Sequence, residues 1–334
     1  MISRRSVLRM IRWAPLYGMT EPPPRTAVVA LGGNALSPPG ERSTIADQFR
    51  HTRESLAPIV ELARDGWSLC VVHGNGLQVG DELVRNEVAR TDVEPLPLGI
   101  LVGATAGWIG YMIQQSLENA LRGVGNDRNV TTIITQVLVD PRDPALREPS
   151  KFIGHQIPEA RAKALIAEGQ AIRVDANGMY RRVVGSPVPL GIHDLPVIRP
   201  LVGSGTIVIA CGGGGVPVYI HPEKGLEGLD AIVDKDAAAA VLARGLDAEL
   251  LVILTNVDAA YSDWGKPTQK KLDRLTVAEA RALDTEGAFG EGSMAPKIRA
   301  AADYAEATGG RAVIAELKQG MEAVRGRAGT TIAR

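Results

Sequence analysis

Residues 26–37 read TAVVALGGNALS. After Thr26 the run to Leu31 carries no polar residue, as a strand does when both of its faces are covered. It stops abruptly at Gly32, Gly33 and Asn34. Glycine at the end of a core strand answers one of two needs: a tight turn, or backbone N–H groups bared for something that must come close.

Five further runs share the strand character: SLCVV (68–72), VTTIITQVLV (130–139), GTIVIAC (205–211), ELLVILT (249–255) and RAVIA (311–315). Helical patterns separate them. From 44 to 64 apolar residues recur at Ile45, Phe49, Leu56, Ile59, Val60 and Ala63, and Asp65-Gly66 ends the pattern. Further helices fit 78–90 and 104–121, the latter apolar enough to lie inside. DKDAAAAVLARGL opens another, and APKIRAAADYAEATGG ends on its glycine pair. Strands alternating with helices need crossover connections, so the expected fold is α/β: a three-layer αβα sandwich around a central, mainly parallel sheet. Residues 141–200 break the rhythm. A proline- and charge-rich stretch, a short helix at 158–168 and a hairpin around Asn177-Gly178 predict a small protruding flap.

Composition bounds the partners. The chain has 334 residues, 45% hydrophobic and 22% charged, with a formal net charge of −1. That balance favours neither nucleic acid nor an anionic membrane, and no stretch approaches the roughly 18–20 apolar residues of a membrane span. Cys70 and Cys211 sit in strand-like runs and read as core thiols of a reducing cytosol; the five histidines lack metal-ligand spacing, so no protein-held metal is expected. Residues 1–25 carry Arg4, Arg5, Arg9 and Arg12 and a proline run, and are expected to stand outside the fold. Either a weak targeting peptide or a start at Met19 accounts for them.

Three strands end in glycine: ALGGN (30–34), VVHGNGLQVG (71–80) and IACGGGG (209–215). In a parallel sheet such ends share one edge, where ligands bind, and bare amides followed by helix N-termini suit an anion. No G-x-x-x-x-G-K-[ST] motif is present. GNGLQVG is one residue off a dinucleotide fingerprint, but no acid ends the next strand, so a Rossmann dehydrogenase is the weaker alternative. Transferring a phosphoryl group needs cations. Lys235, between Asp234 and Asp236 at a helix start, is out of place there unless its stem is exposed or an anion is near. Lys297 follows the glycine-containing GEGSMAP, and Lys151 lies in the flap. Asp236 can hold lysines in position without acting as a base.

VVALGGNAL, HGNGLQVG, GWIGYMIQQ, TQVLVDPRDPA, PSKFIG, YRRVVGSPVP, GGGGVPV, AIVDKDAAAAVLA, LTNVDAAYSDWGKPTQ and GSMAPKI follow in that order over residues 26–332. In them the chain resembles the carbamate kinases of the amino-acid kinase superfamily. The resemblance implies one domain over 26–332, with 26–140 and the flap at 141–200 on the substrate side and 201–332 on the nucleotide side. It also implies a cytoplasmic homodimer. By the same resemblance Lys151, Lys235 and Lys297 are the active-site lysines and Asp236 organises them. Gly32, Gly33, Asn34, Gly74, Asn75 and Gly76 would hold the phosphoryl group and carbamate. Gly212, Gly213, Gly214, Val257, Tyr261, Trp264, Lys266 and Met294 would face the nucleotide.

The implied reaction is Mg²⁺-dependent phosphoryl transfer between carbamoyl phosphate plus ADP and carbamate plus ATP, in arginine or purine-nitrogen breakdown. The chain departs from the family at Leu77, usually proline, and at Asn256. In the flap, PSKFIGHQI stands where relatives read near PTKPIGPFY, so Phe152, His155, Gln156 and Ile157 differ. A kinase for another small carboxylate or carbamate-like acid, or a non-catalytic acylphosphate- or nucleotide-binding paralogue, are the alternatives.

Overall fold

The computed structural model describes residues 25–33, 36–37, 44–175, 177–290 and 294–334. Eight strands build the central sheet, in the spatial order Arg274–Thr276, Thr330–Ala333, Arg311–Glu316, Leu250–Thr255, Thr26–Leu31, Ser68–His73, Ile207–Ile209, Val130–Thr132. All neighbours run parallel except Arg311–Glu316 with Thr330–Ala333. The unbroken apolar run at 27–31 divides by the strand period of two. Val28 and Ala30 join the core under helices Leu195–Gly203, Lys235–Gly245 and Met294–Thr308. Ala27, Val29 and Leu31 join the opposite core, under Ala57–Arg64 and Leu98–Gly123. Each buried Val or Leu contributes about 1.5–3 kcal/mol of transfer free energy, so this strand is stabilised only with both helical layers in place. The expected three layers are present.

Two smaller sheets stand beside them. One orders Gly225–Gly228, Val216–His221, Gln136–Leu138 and Gly191–Ile192; the other is the flap, ordering Lys151–Ile157, Tyr180–Val184 and Ile172–Val174. Helix Glu159–Ala167 belongs to the flap, and Asn177-Gly178 lies in its hairpin turn, with Gly178 at φ 77°. Of the interval 141–200, only 151–184 builds the flap sheet. Helix Leu195–Gly203 packs Ile198 and Val202 into the main core despite its internal Pro200.

Several elements differ from their sequence reading. The single helix expected over 44–64 is two, Ile45–Glu54 and Ala57–Arg64, because Pro58 has no N–H to continue the first. The strand expected over 130–139 breaks at Thr135, whose hydroxyl donates to the Ile133 carbonyl and accepts from the Cys211 amide, both at 2.9 Å. The chain thereby leaves the main sheet and enters the four-stranded one. The helix expected from 104 begins at Leu98, and two short strands near the C-terminal edge, Arg274–Thr276 and Thr330–Ala333, carry too few residues to show a pattern. Arg25 belongs to the fold, stacking over Trp67 at 4.5 Å, whereas residues 1–24 lie outside the described residues. Both cysteines are free and buried, and burial pushes the Cys70 thiol up to about 12. No helix among the described residues is long and apolar enough to cross a membrane.

Candidate active site

The three glycine-terminated strands are neighbours in the sheet, so their carboxyl ends meet. At the first turn the Gly32 amide donates to the Leu254 carbonyl at 3.1 Å, and at the second the Gly74 amide donates to Leu31 at 3.2 Å. Neither amide is open to an anion, which corrects the reading of Gly32. These two glycines serve close approach instead. A Cβ on Gly74 would stand 3.2 Å from Lys235 Cδ and 3.3 Å from the Gly33 nitrogen, and one on Gly32 would stand 3.2 Å from the Leu254 oxygen. Asn34 lies outside the described residues.

Helix Gly76–Ala89 opens directly from the second turn. Asn75 occupies its N-cap but does not cap it, because the side-chain amide donates to Thr105 Oγ1 at 2.9 Å. The first amides of a helix have no intrahelical acceptor, so this end, starting at Gly76, presents N–H groups and a partial positive charge. The third turn packs against the second. A Cβ on Gly212 would come within 2.6 Å of His73 Nε2, one on Gly213 within 2.3 Å of Asn75 Nδ2, and one on Gly214 within 2.1 Å of the Val233 oxygen. Close packing therefore accounts for GGGG, whose Gly213 and Gly214 also take positive φ of 67° and 91°.

Val233 leads into the helix Lys235–Gly245. Lys235 Nζ donates to Asp236 Oδ1 at 2.5 Å, and Lys297 Nζ, from helix Met294–Thr308, lies 3.2 Å from Asp236 Oδ2. Asp236 is 2% exposed. Burial pushes its carboxyl up, but the two ammonium groups more than offset that and hold it below the usual carboxylate range. Burial likewise lowers Lys235, against the pull of Asp236. Lys151 takes a different partner from the one expected: its ammonium pairs with Asp234, whose other oxygen caps the helix at the Asp236 and Ala237 amides, 2.8 and 3.2 Å away.

The flap that carries Lys151 is docked on the helix of the second turn. Gly154, at φ 67°, abuts Gly80, where a Cβ would stand 2.1 Å from the Gly154 Cα. Arg161 Nη2 donates to Glu87 Oε2 at 2.9 Å, Arg182 pairs with the same carboxylate, and His155 Nε2 lies 3.3 Å from Asp81.

The adenine-side candidates form a group of their own. Tyr261 lies in the hairpin of Ala260–Ser262 with Lys270–Leu272 and donates its hydroxyl to Asp258 at 2.9 Å. Trp264 meets the Tyr261 ring edge-on at 5.1 Å and is 61% exposed, which sets it apart from the packing indole that its residue type suggests. Lys266 pairs with Asp263 at 2.8 Å, Val257 is half-buried, and Met294, the first residue of the helix that carries Lys297, packs on the core. Every contact named for Tyr261, Trp264 and Lys266 stays within this hairpin and its approach.

Residues 25–316 match the model of the amino acid kinase family. The chain belongs to the amino acid kinase family. The carbamate kinase of Pyrococcus horikoshii is 40% identical over 312 residues, covering 92% of this chain and 99% of that protein. The carbamate kinase of Haemophilus influenzae is 42% identical over 305 residues, covering 91% and 96%. The structure of carbamate kinase from Giardia lamblia bound to AMP-PNP superposes with a TM-score of 0.85 at 36% identity, covering 93% of this chain and 98% of that one. Membership of this kinase family displaces the dinucleotide-binding alternative.

Two residues of this amino acid kinase site escaped the sequence reading. Asp234 flanks Lys235 and reads as an ordinary N-cap; its ion pair spans 83 positions, and no local pattern announces it. His73 ends the second strand fully buried, with Nδ1 on the Gly74 oxygen at 3.0 Å and a second backbone interaction with Ala106. Burial lowers it to about 4, so the ring is neutral at the base of the site.

Proposed function

We propose that the chain is a carbamate kinase, transferring a phosphoryl group reversibly between carbamoyl phosphate and ADP and releasing carbamate and ATP. The observation that carries this reading is the buried Asp236 carboxylate shared by Lys235 and Lys297, beside glycine-turned strand ends. In the transfer, the bond from phosphorus to the carbamate oxygen breaks as one to the terminal phosphate oxygen of ADP forms. Both oxygens are anionic, so no proton moves and no base is required. What the transition state needs is cations around the equatorial phosphoryl oxygens. Lys235 and Lys297 supply them, Asp236 aims them, and Lys151 closes over carbamoyl phosphate.

The Gly33 amide and the Gly76 helix end face the phosphoryl group and carbamate, while Gly32, Gly74 and Asn75 shape that surface. The backbone of Gly212–Gly214 borders the nucleotide phosphates, with Val257, Tyr261, Trp264, Lys266 and Met294 on the nucleotide side. Both aspartates of the cluster are engaged by lysines. Among the described residues no group of three or more His, Cys, Asp or Glu side chains could hold a metal. In this reading Mg²⁺ would be carried by the nucleotide phosphates and would neutralise part of their charge. The proposal includes a substrate side of 26–200 with its flap, a nucleotide side of 201–332, a cytoplasmic homodimer, and ATP formation during arginine or purine-nitrogen breakdown.

The flap favours one second reading, a kinase for another small carboxylate or carbamate-like acid. Two of its divergent residues have contacts of their own: Phe152 lies 5.5 Å from the Arg181 guanidinium, and His155 pairs with Asp81. The deciding experiment is ATP formation from carbamoyl phosphate and Mg-ADP by purified protein, with Lys297→Ala as control. Lysine-dependent ATP supports carbamate kinase. Binding of ADP without ATP formation supports the second reading, and a panel of small acids with Mg-ATP then identifies the acceptor.

A further inference from the structure

We propose that Asp234 is a positioning residue for phosphoryl transfer, tethering the flap's Lys151 to the head of the lysine helix. The inference rests on the kinase reading above. Three ammonium groups, on Lys151, Lys235 and Lys297, gather around two carboxylates, on Asp234 and Asp236. Asp236 is occupied by Lys235 and Lys297, one on each oxygen. Without Asp234, Lys151 would meet like charge at the helix head and an open route to water, since its side chain is 32% exposed.

Asp234 divides its two oxygens between two tasks. Oδ1 accepts from the Asp236 and Ala237 amides and fixes the first turn that carries Lys235 and Asp236. Oδ2 accepts from Lys151, which lies 83 positions away in the flap. One carboxylate thus joins the flap to the element that presents the other two lysines. Lys151 is the first residue of flap strand Lys151–Ile157, and its next anchors on the body are the buried Ile153, packed with Val79, Leu101, Val102 and Ile232, and then Gly154 against Gly80. Between Lys151 and Ile153 only Phe152 intervenes, so releasing Lys151 frees the first residues of the strand and leaves the rest seated.

The chemistry of the pair lets the two tasks be separated. Asn at 234 keeps an oxygen for the cap but loses the charge that holds Lys151, whereas Ala loses both. In Asp234→Asn, kcat for ATP formation should fall about tenfold to a hundredfold, the scale of a misplaced catalytic group, with the KM for Mg-ADP unchanged. Its melting temperature should stay near that of the wild type. In a Lys151→Ala background the same change should cost nothing further, because nothing remains to be tethered.

Hydrogen exchange of the unliganded full chain supplies a readout independent of turnover: amides of 151–153, at the leading end of the flap strand, should exchange faster in Asp234→Asn and those of 235–245 should not. If Asp234→Asn keeps kcat within twofold, raises it, or lowers it equally in the Lys151→Ala background, the tether is wrong and Asp234 is a helix cap. If the wild type makes no ATP while flap exchange still rises in Asp234→Asn, the carbamate kinase reading fails and the tether stands. Unchanged flap exchange overturns the tether whatever the activity.

Discussion

Asp236 is a carboxylate that water barely reaches, kept ionised by two ammonium groups at 2.5 and 3.2 Å. Neutralising it reverses the balance. Asp236→Asn leaves Lys235 and Lys297 close together without their shared counter-charge, and removing one partner from a buried ion pair costs about 3–5 kcal/mol. The variant should therefore melt several degrees lower than the wild type in calorimetry. Turnover should fall about 100-fold to 1000-fold, because the cations are no longer aimed at the phosphoryl oxygens. Binding of a phosphate-bearing ligand should narrow the stability gap, since the ligand restores negative charge between the lysines. Equal stability of the two free proteins would show that the lysines relax into solvent and that Asp236 does not hold them.

At the scale of elements, the flap's position depends on two glycines. Gly80 on helix Gly76–Ala89 and Gly154 on the flap strand touch backbone to backbone, and a Cβ on Gly80 would lie 2.7 Å from the Gly154 nitrogen. Gly80→Ala gains about 0.5–1 kcal/mol of helix propensity, so the helix should persist. It is the flap that must lift. Far-UV circular dichroism and Mg-ADP affinity should match the wild type, while turnover falls at least tenfold and limited proteolysis cuts within 151–184 more readily. Wild-type turnover would mean that the Arg161 and Arg182 pairs with Glu87 suffice to seat the flap.

The same elements mark what the sequence could and could not show. Continuous apolar runs at 26–31, 68–72 and 249–255 announced buried parallel strands because both faces are covered. The glycine turns announced a crowded sheet edge. Which glycines bare an amide and which merely let backbones touch depends on neighbours far along the chain, as Gly32 with Leu254 and Gly213 with Asn75 illustrate. Thr135 turned an apparent ten-residue strand into two, through a hydrogen bond to Cys211 that no local spacing encodes.

The whole molecule places a neutral histidine beneath this charged cluster, and that has a consequence for stability against pH. His73 is lowered from 6.5 to about 4, first by burial and further by the Lys235 charge, although hydrogen bonds to the Gly74 and Ala106 backbone work the other way. The unfolded chain binds a proton at this ring below about pH 6.5, while the folded chain does so only below about pH 4. Between those values the unfolded state holds more protons, so stability must decline as pH falls through the window. One proton taken up only by the unfolded chain costs about 1.4 kcal/mol for each pH step of one, so the loss by pH 4.5 is about 2–3 kcal/mol. Asp234 and Asp236 act elsewhere on the scale. Their folded values lie below the usual aspartate range, so their stabilisation is present above about pH 4 and disappears only as pH falls further.

Urea unfolding of the wild type at pH 7.0 and 4.5 should show the decline. His73→Asn, which carries no titrating ring, should flatten most of it. A slope in the variant as steep as in the wild type would place the acid sensitivity outside His73, and with it the claim that the floor of the site is held neutral would fall.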